Sequence, residues 1–200
     1  YDKRLNVRKD FIEVIKMFRK TVFNLALILI ASYMIVGVGP VLSDGHGLKP
    51  VTTERLRVGS QETSGWVMYG GNYENWRHSP LKQINKENVK SLAPVWIFQT
   101  GIQGQLSGSP VVVDDILYLT APYNNLWAIN ARTGLPLWHY EHQGPGDLRL
   151  CCGPANRGVA IAGNSLFMAT LDARLMAFDR STGDVLWDVQ MANHADGYSA

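Results

Sequence analysis

One stretch of this chain is written twice. Ala128-Ile129-Asn130-Ala131-Arg132-Thr133-Gly134-Leu135-Pro136-Leu137-Trp138 returns as Ala177-Phe178-Asp179-Arg180-Ser181-Thr182-Gly183-Asp184-Val185-Leu186-Trp187. Ala, Thr, Gly and Trp recur at an offset of 187 − 138 = 49 residues, and Leu126 and Leu175 keep that spacing. A period of this length marks stacked supersecondary units, none of which can bury its apolar face alone.

Local patterning makes each unit a set of strands. Val111-Val112-Val113, a turn at Asp114-Asp115 and Ile116-Leu117-Tyr118-Leu119 read as a hairpin of β-branched and aromatic residues. Val159-Ala160-Ile161-Ala162, Gly163-Asn164 and Leu166-Phe167-Met168-Ala169 repeat it. Each hairpin is followed by a third strand (Leu126–Ile129 or Leu175–Phe178), a Thr-Gly turn and a strand through Trp138 or Trp187. The expected fold is therefore all-β: propeller blades, each a four-stranded antiparallel sheet, with the Trp of each unit packed between neighbouring blades. Two full units and a partial one led by Leu92-Ala93-Pro94-Val95-Trp96 cannot close a ring, which takes at least about four blades. The chain reads as a fragment of a propeller.

Before the blades lies a different kind of sequence. Arg19-Lys20 precedes an uncharged run from Thr21 to Ser43 that ends in Gly37, Gly39 and Pro40. A basic flank, an apolar core and helix breakers form the layout of a secretory signal, with an uncleaved membrane anchor as the alternative. Residues 1–43 are thus read as an extension with a signal peptide or anchor, 44–65 as a polar linker, and 66–200 as propeller. Either form of the first segment leads to export, expected here to the periplasm. The first 43 residues carry seven of the 19 Lys and Arg and three of the 17 Asp and Glu, leaving 12 basic against 14 acidic beyond. With no basic excess in the folded part, nucleic-acid binding has no support.

The only two cysteines are neighbours, Cys151-Cys152. In an oxidising compartment a disulfide between them is the leading reading; it forces a distorted peptide into a small ring and offers a sulfur face to a planar ligand. Two free thiols, half of a metal site and partners elsewhere are the alternatives. His139 and His142 lie nearby but lack metal-ligand spacing. Arg157 follows in Asn156-Arg157-Gly158, either an exposed strand end or a planar fork of donors for an anionic or quinone oxygen. Asp172, Asp179 and Glu141 are expected at the solvated surface of blade turns.

Trp66-Val67-Met68-Tyr69-Gly70-Gly71-Asn72, Arg77-His78-Ser79-Pro80-Leu81, Ile84-Asn85, Asn88-Val89 and Leu92, and Pro110-Val111-Val112-Val113-Asp114 through Trp138, resemble the entry to the pyrroloquinoline quinone (PQQ)-dependent alcohol and methanol dehydrogenases. Cys151-Cys152 with Asn156-Arg157-Gly158 resembles that family's signature pair and arginine. The resemblance covers Trp66 to Ala200. It implies an eight-bladed periplasmic propeller that holds PQQ and a Ca²⁺ or lanthanide ion, oxidises alcohols or sugars, and passes electrons to a cytochrome or membrane quinone. It implies too that a disulfide of Cys151 and Cys152 faces PQQ and that Arg157 bonds the quinone oxygens. The family places a Glu three residues before the Pro that opens the first full blade; here that position is Ser107, kept as a cofactor contact without the charge. The family's metal ligands and catalytic aspartate belong to later blades, so neither is assigned here. A non-catalytic propeller scaffold and an inactive truncated fragment are the alternatives.

Overall fold

The computed structural model describes residues 48–148 and 150–199. The expected signal segment or anchor, 1–43, lies outside the described residues. Two antiparallel four-stranded sheets follow one another in the chain, each with its strands in sequence order. The first is β1 (Val111–Val113), β2 (Ile116–Ala121), β3 (Asn125–Asn130) and β4 (Pro136–Tyr140); the second is β5 (Ala160–Ala162), β6 (Ser165–Ala169), β7 (Arg174–Asp179) and β8 (Val185–Gln190). These are the two blades the repeat predicts. Asp114 and Asp115 turn the first hairpin with φ of 53° and 61°, the doubly left-handed turn that matches strand twist and that Asp tolerates better than most residues.

The repeat is kept down to single hydrogen bonds. Gly134 N donates to Asn130 O at 2.8 Å, and Gly183 N to Asp179 O at 2.8 Å. The Asn130 side chain accepts from the amides of Arg132 and Thr133, as Asp179 does from Ser181 and Thr182. Asp179 is therefore a turn cap. Hydrogen bonds from Ser181 and Thr182 outweigh the opposing effect of burial and hold its carboxyl below the ordinary carboxylate value. Each blade also shifts register at one place, Ala128/Ile129 and Ala177/Phe178.

The tryptophans join units, as expected. Trp96 Nε1 donates to Ala131 O at 3.0 Å and Trp138 Nε1 to Arg180 O at 3.2 Å, two carbonyls that occupy the same position of the repeat. Gly134 and Gly183, both at positive φ, let each indole lie flat on the turn: a Cβ would meet Trp96 at 2.6 Å or Trp138 at 2.7 Å. Between the sheets sits the core, with Val111, Val113, Tyr118, Leu126, Leu166, Met168, Met176 and Phe178 buried. Trp187, the third indole of the series, is 41% exposed on β8.

The stretch read as a linker differs from that expectation. Val51 is buried and pairs with Gly163 through two backbone hydrogen bonds. A short helix α1 (Thr53–Arg57) follows, capped by the Thr52 hydroxyl. Arg55 bonds Glu62 and Asp114, each at 3.0 Å, while Arg180 Nη2 donates to Lys49 O at 2.7 Å and to Asp114 at 2.9 Å. Charged residues looked like solvent-facing linker in the sequence because their partners lie in blade turns far along the chain.

Strand direction decides where the candidate residues go. β1 and β5 start, and β2, β4, β6 and β8 end, at one end of the sheets; the turns at Asp114, Gly134, Gly163 and Gly183 lie at the other. Ser107, Cys151, Cys152, Arg157, His142 and Asp172 all belong to segments at the first end.

Candidate functional site

The site is built by two segments that lead into the inner strands, 104–110 before β1 and 141–159 before β5. They run side by side: Ser109 N donates to Arg157 O at 3.1 Å, and Ser109 forms a parallel bridge with Gly158. The two bridged residues are 158 − 109 = 49 apart, so equivalent positions of successive blades pair. Glycine is required where they touch. A Cβ on Gly158, at φ 127°, would meet Ser109 O at 2.9 Å, and one on Gly108 would meet the Thr120 hydroxyl at 2.5 Å. Ser107, half-buried, is thereby held beside the Asn156-Arg157-Gly158 run.

Asn156 locks that run. It is buried, its amide nitrogen donates to Asn124 Oδ1 at 3.0 Å and Ala169 O at 2.9 Å, and its oxygen accepts from Gly158 N at 3.0 Å. Asn124 Oδ1 in turn accepts from Leu171 N at 3.1 Å. Tyr123 N donates to Pro154 O at 2.9 Å, which ties the cysteine segment to the β2–β3 turn. The backbone between Pro154 and Gly158 is thus held from both blades, and a side chain carried on it has a defined origin.

Cys151 and Cys152 lie exposed as two thiols not bonded to one another. A hydrogen bond with Cys152 and that neighbour's charge raise the Cys151 thiol above its ordinary value, while the positive charge of Arg157 pulls it the other way. The guanidinium therefore stands within electrostatic reach of the pair. Arg157 itself is exposed. The fold so brings three sequence-derived candidates, the cysteine pair, Arg157 and Ser107, to one end of the sheets, with Ser107 and Arg157 on adjoining segments. Chemically they supply a polarisable sulfur surface, a cationic planar donor fork and a neutral hydroxyl. Among the described residues, no group of three or more His, Cys, Asp or Glu could hold a metal ion.

The reading of Asp172 as solvated surface is corrected. Asp172 is buried, and His142 Nε2 lies 2.9 and 3.1 Å from its two carboxylate oxygens. Tyr140 OH stands 3.3 Å from His142 Nδ1. In the repeat, Asp172 occupies the position held by Tyr123 in the first blade (172 − 49 = 123), so no copy of the motif flagged it. Glu141 is exposed, as expected, and His139 stacks on Trp127 with centroids 4.1 Å apart.

Burial pushes the Asp172 carboxyl up, but hydrogen bonds from Thr170 and His142 outweigh it and hold the group below the ordinary carboxylate value. A carboxyl whose folded value is depressed stabilises the fold above its unfolded value, about pH 4, and that contribution is lost as pH falls through the folded value. Urea midpoints measured from pH 6 to pH 2.5 are expected to fall in acid, and D172N is expected to flatten part of that fall. An unchanged acid profile in D172N would remove the carboxylate from the account.

The family model described as "PQQ: Glucose/ethanol/alcohol dehydrogenase, beta-propeller domain" matches residues 66–188. The chain is 37% identical over 183 residues to the quinoprotein alcohol dehydrogenase PedH of Pseudomonas putida, covering 90% of this chain and 29% of that protein. It is 40% identical over 153 residues to a quinoprotein ethanol dehydrogenase of Pseudomonas aeruginosa, covering 76% of this chain and 25% of the relative. Among solved structures, a europium-containing methanol dehydrogenase superposes with a TM-score of 0.66 at 34% identity, covering 70% of this chain and 25% of that one. The quinohemoprotein alcohol dehydrogenase of Comamonas testosteroni gives 0.63 at 33%, covering 74% and 22%. The chain spans less than a third of the length of these curated relatives.

Proposed function

The chain belongs to the PQQ β-propeller family of glucose, ethanol and alcohol dehydrogenases, and from that premise we propose that it forms the first blades of an exported enzyme that oxidises alcohols. In this reading residues 1–43 direct export to the periplasm as a signal peptide or anchor, 44–65 lead into the blades, and 66–200 begin a propeller of eight. The observation that carries the reading is the parallel pairing of Ser109 with Arg157 and Gly158, which sets the segments of Ser107 and Arg157 side by side at the end that also carries the cysteine pair.

The residues present suit a planar quinone that bears carboxylates. Arg157 offers a fork of charged N–H donors to its oxygens, and the Ser107 hydroxyl a neutral contact. Cys151 and Cys152, two unbonded thiols in this structure, would offer sulfur contacts to the ring once joined as a disulfide in an oxidising compartment. When bound, PQQ supplies the two-electron acceptor chemistry that no side chain here provides. The chain's own residues bind and orient: Asn156 and the 109/157 pairing hold the backbone that carries Arg157 from two blades at once. A Ca²⁺ or lanthanide ion would take its ligands from further blades, and electrons would leave to a cytochrome or membrane quinone. Ser107, uncharged where the family carries Glu, favours a second reading as a propeller scaffold without cofactor.

Absorbance titration with PQQ, in protein completed by its remaining blades and supplied with Ca²⁺ or a lanthanide, separates the two. A saturable spectral change is expected, with C151S and C152S each weakening affinity by about tenfold, a loss on the scale of sulfur–ring contacts. No spectral change in the unaltered protein would overturn the dehydrogenase reading and leave the scaffold.

A further inference from the structure

The cysteine segment is anchored at both ends on the β6–β7 corner of the next blade, at the end of β6 and in the turn after it. Entering it, His142 reaches Asp172 with side chains only 6% and 8% exposed. Leaving it, Asn156 donates to Ala169 O at 2.9 Å. Asp172 lies in the β6–β7 turn, and Ala169 is the last residue of β6 before it. That turn is itself fixed, since Gln190 of β8 donates to the carbonyls of Asp172 at 2.8 Å and Ala173 at 3.2 Å. Asn124 of the first blade holds Leu171 between them.

We propose that the buried His142–Asp172 pair is a positioning clamp: it fixes the entry of the segment carrying Cys151 and Cys152 so that the pair is presented beside Arg157 and Ser107. The chemistry of the pair suits that task. An ionised carboxylate accepts from Nε2–H with both oxygens in reach, leaving Nδ1 to accept from the Tyr140 hydroxyl. Every polar atom of the imidazole is then used, and a used, buried imidazole holds one rotamer. Both side chains are buried against one another, so the pair acts through the backbone. Its entry also lacks a counterpart in the repeat: the position equivalent to His142 in the next unit, 142 + 49 = 191, is Met191. The pair therefore does a task of this one connection rather than of blades in general. Asp147 to His194, 3.4 Å apart on the exposed side, adds a second tie midway.

The test has two arms. In the chain of 200 residues, backbone ¹⁵N order parameters of Cys151 and Cys152 are expected near the rigid value of about 0.85 and to drop below about 0.6 in H142A and in D172A. H142Q, which keeps a donor toward Asp172, is expected to hold them. Amides of β5 to β7 serve as the internal standard and should keep their values in all variants. The second arm rests on the cofactor reading above. In the completed protein, PQQ affinity by absorbance titration is expected to weaken about tenfold in H142A and to return within twofold of wild type in H142Q, at unchanged thermal midpoint for the Gln variant. Order parameters that stay rigid in both alanine variants overturn the clamp. So does equal PQQ affinity in H142A and wild type. If the unaltered protein binds no PQQ, the cofactor reading fails by itself, and the order parameters alone uphold or overturn the clamp.

Discussion

Replacing Asp114 by asparagine is expected to destabilise the blades by about 3–5 kcal/mol, the cost of leaving a buried cation without its anion. Arg180 is 1% exposed, and among the described residues its charge is met by the Lys49 carbonyl and the Asp114 carboxylate. Its Nε and Nη1 have no partner among those residues. Asparagine keeps the left-handed turn and roughly the shape, so the change isolates charge. The reverse removal should hurt less. In R180M the cation and its two unsatisfied donors go together, while Asp114 keeps Arg55 at 3.0 Å. R180M is therefore expected to cost at least about 2 kcal/mol less than D114N. Urea unfolding of both variants and the double mutant checks the order. An R180M that is the weaker of the two would mean the guanidinium contributes more by packing than by pairing.

Arg157 carries the second large effect. In protein completed by its remaining blades, R157L is expected to weaken PQQ binding by about 1.5–3 kcal/mol, the range for a hydrogen bond to a charged group, or roughly 10- to 150-fold. R157K should fall between, since it keeps a charge and loses the planar fork. Titration by absorbance at one fixed salt concentration measures both. Affinities of R157L within twofold of wild type would return Arg157 to the role of an exposed strand end.

How the blades are built could be read along the chain because strand signals are local. Alternating β-branched residues, Asp-Asp and Gly-Asn turns and the Thr-Gly corner each act within a few positions, and the structure has strands where they stand. The indoles were legible for a related reason: an apolar ring at a fixed repeat position has only the next unit to bury against, and Trp138 does so. The neighbourhood of Ser107 and Arg157 was legible only in principle, through the offset that pairs Ser109 with Gly158. Asp172 was misjudged, and the ion pairs of Asp114, rightly read as a turn residue, were not foreseen. Both sit in turns, where a carboxylate is ordinarily solvated, and both are paired with partners 30 to 66 residues away that no local pattern announces. The same holds for Arg55, whose ties to Glu62 and Asp114 turn an apparent linker into a docked segment. Side chains that answer to strand period are visible in one dimension; side chains that answer to a partner across the fold are not.

The bond from Arg180 to the Lys49 carbonyl spans 131 positions, and that distance sets an order of events. During synthesis, the segment around Val51 has nothing to dock on until Gly163 and Arg180 have emerged and the second blade has closed, because contacts this distant form only after the local hairpins that make them worthwhile. The earliest-made part of the described chain is thus the last to settle. Its docking surface is completed only when the blades have assembled behind it.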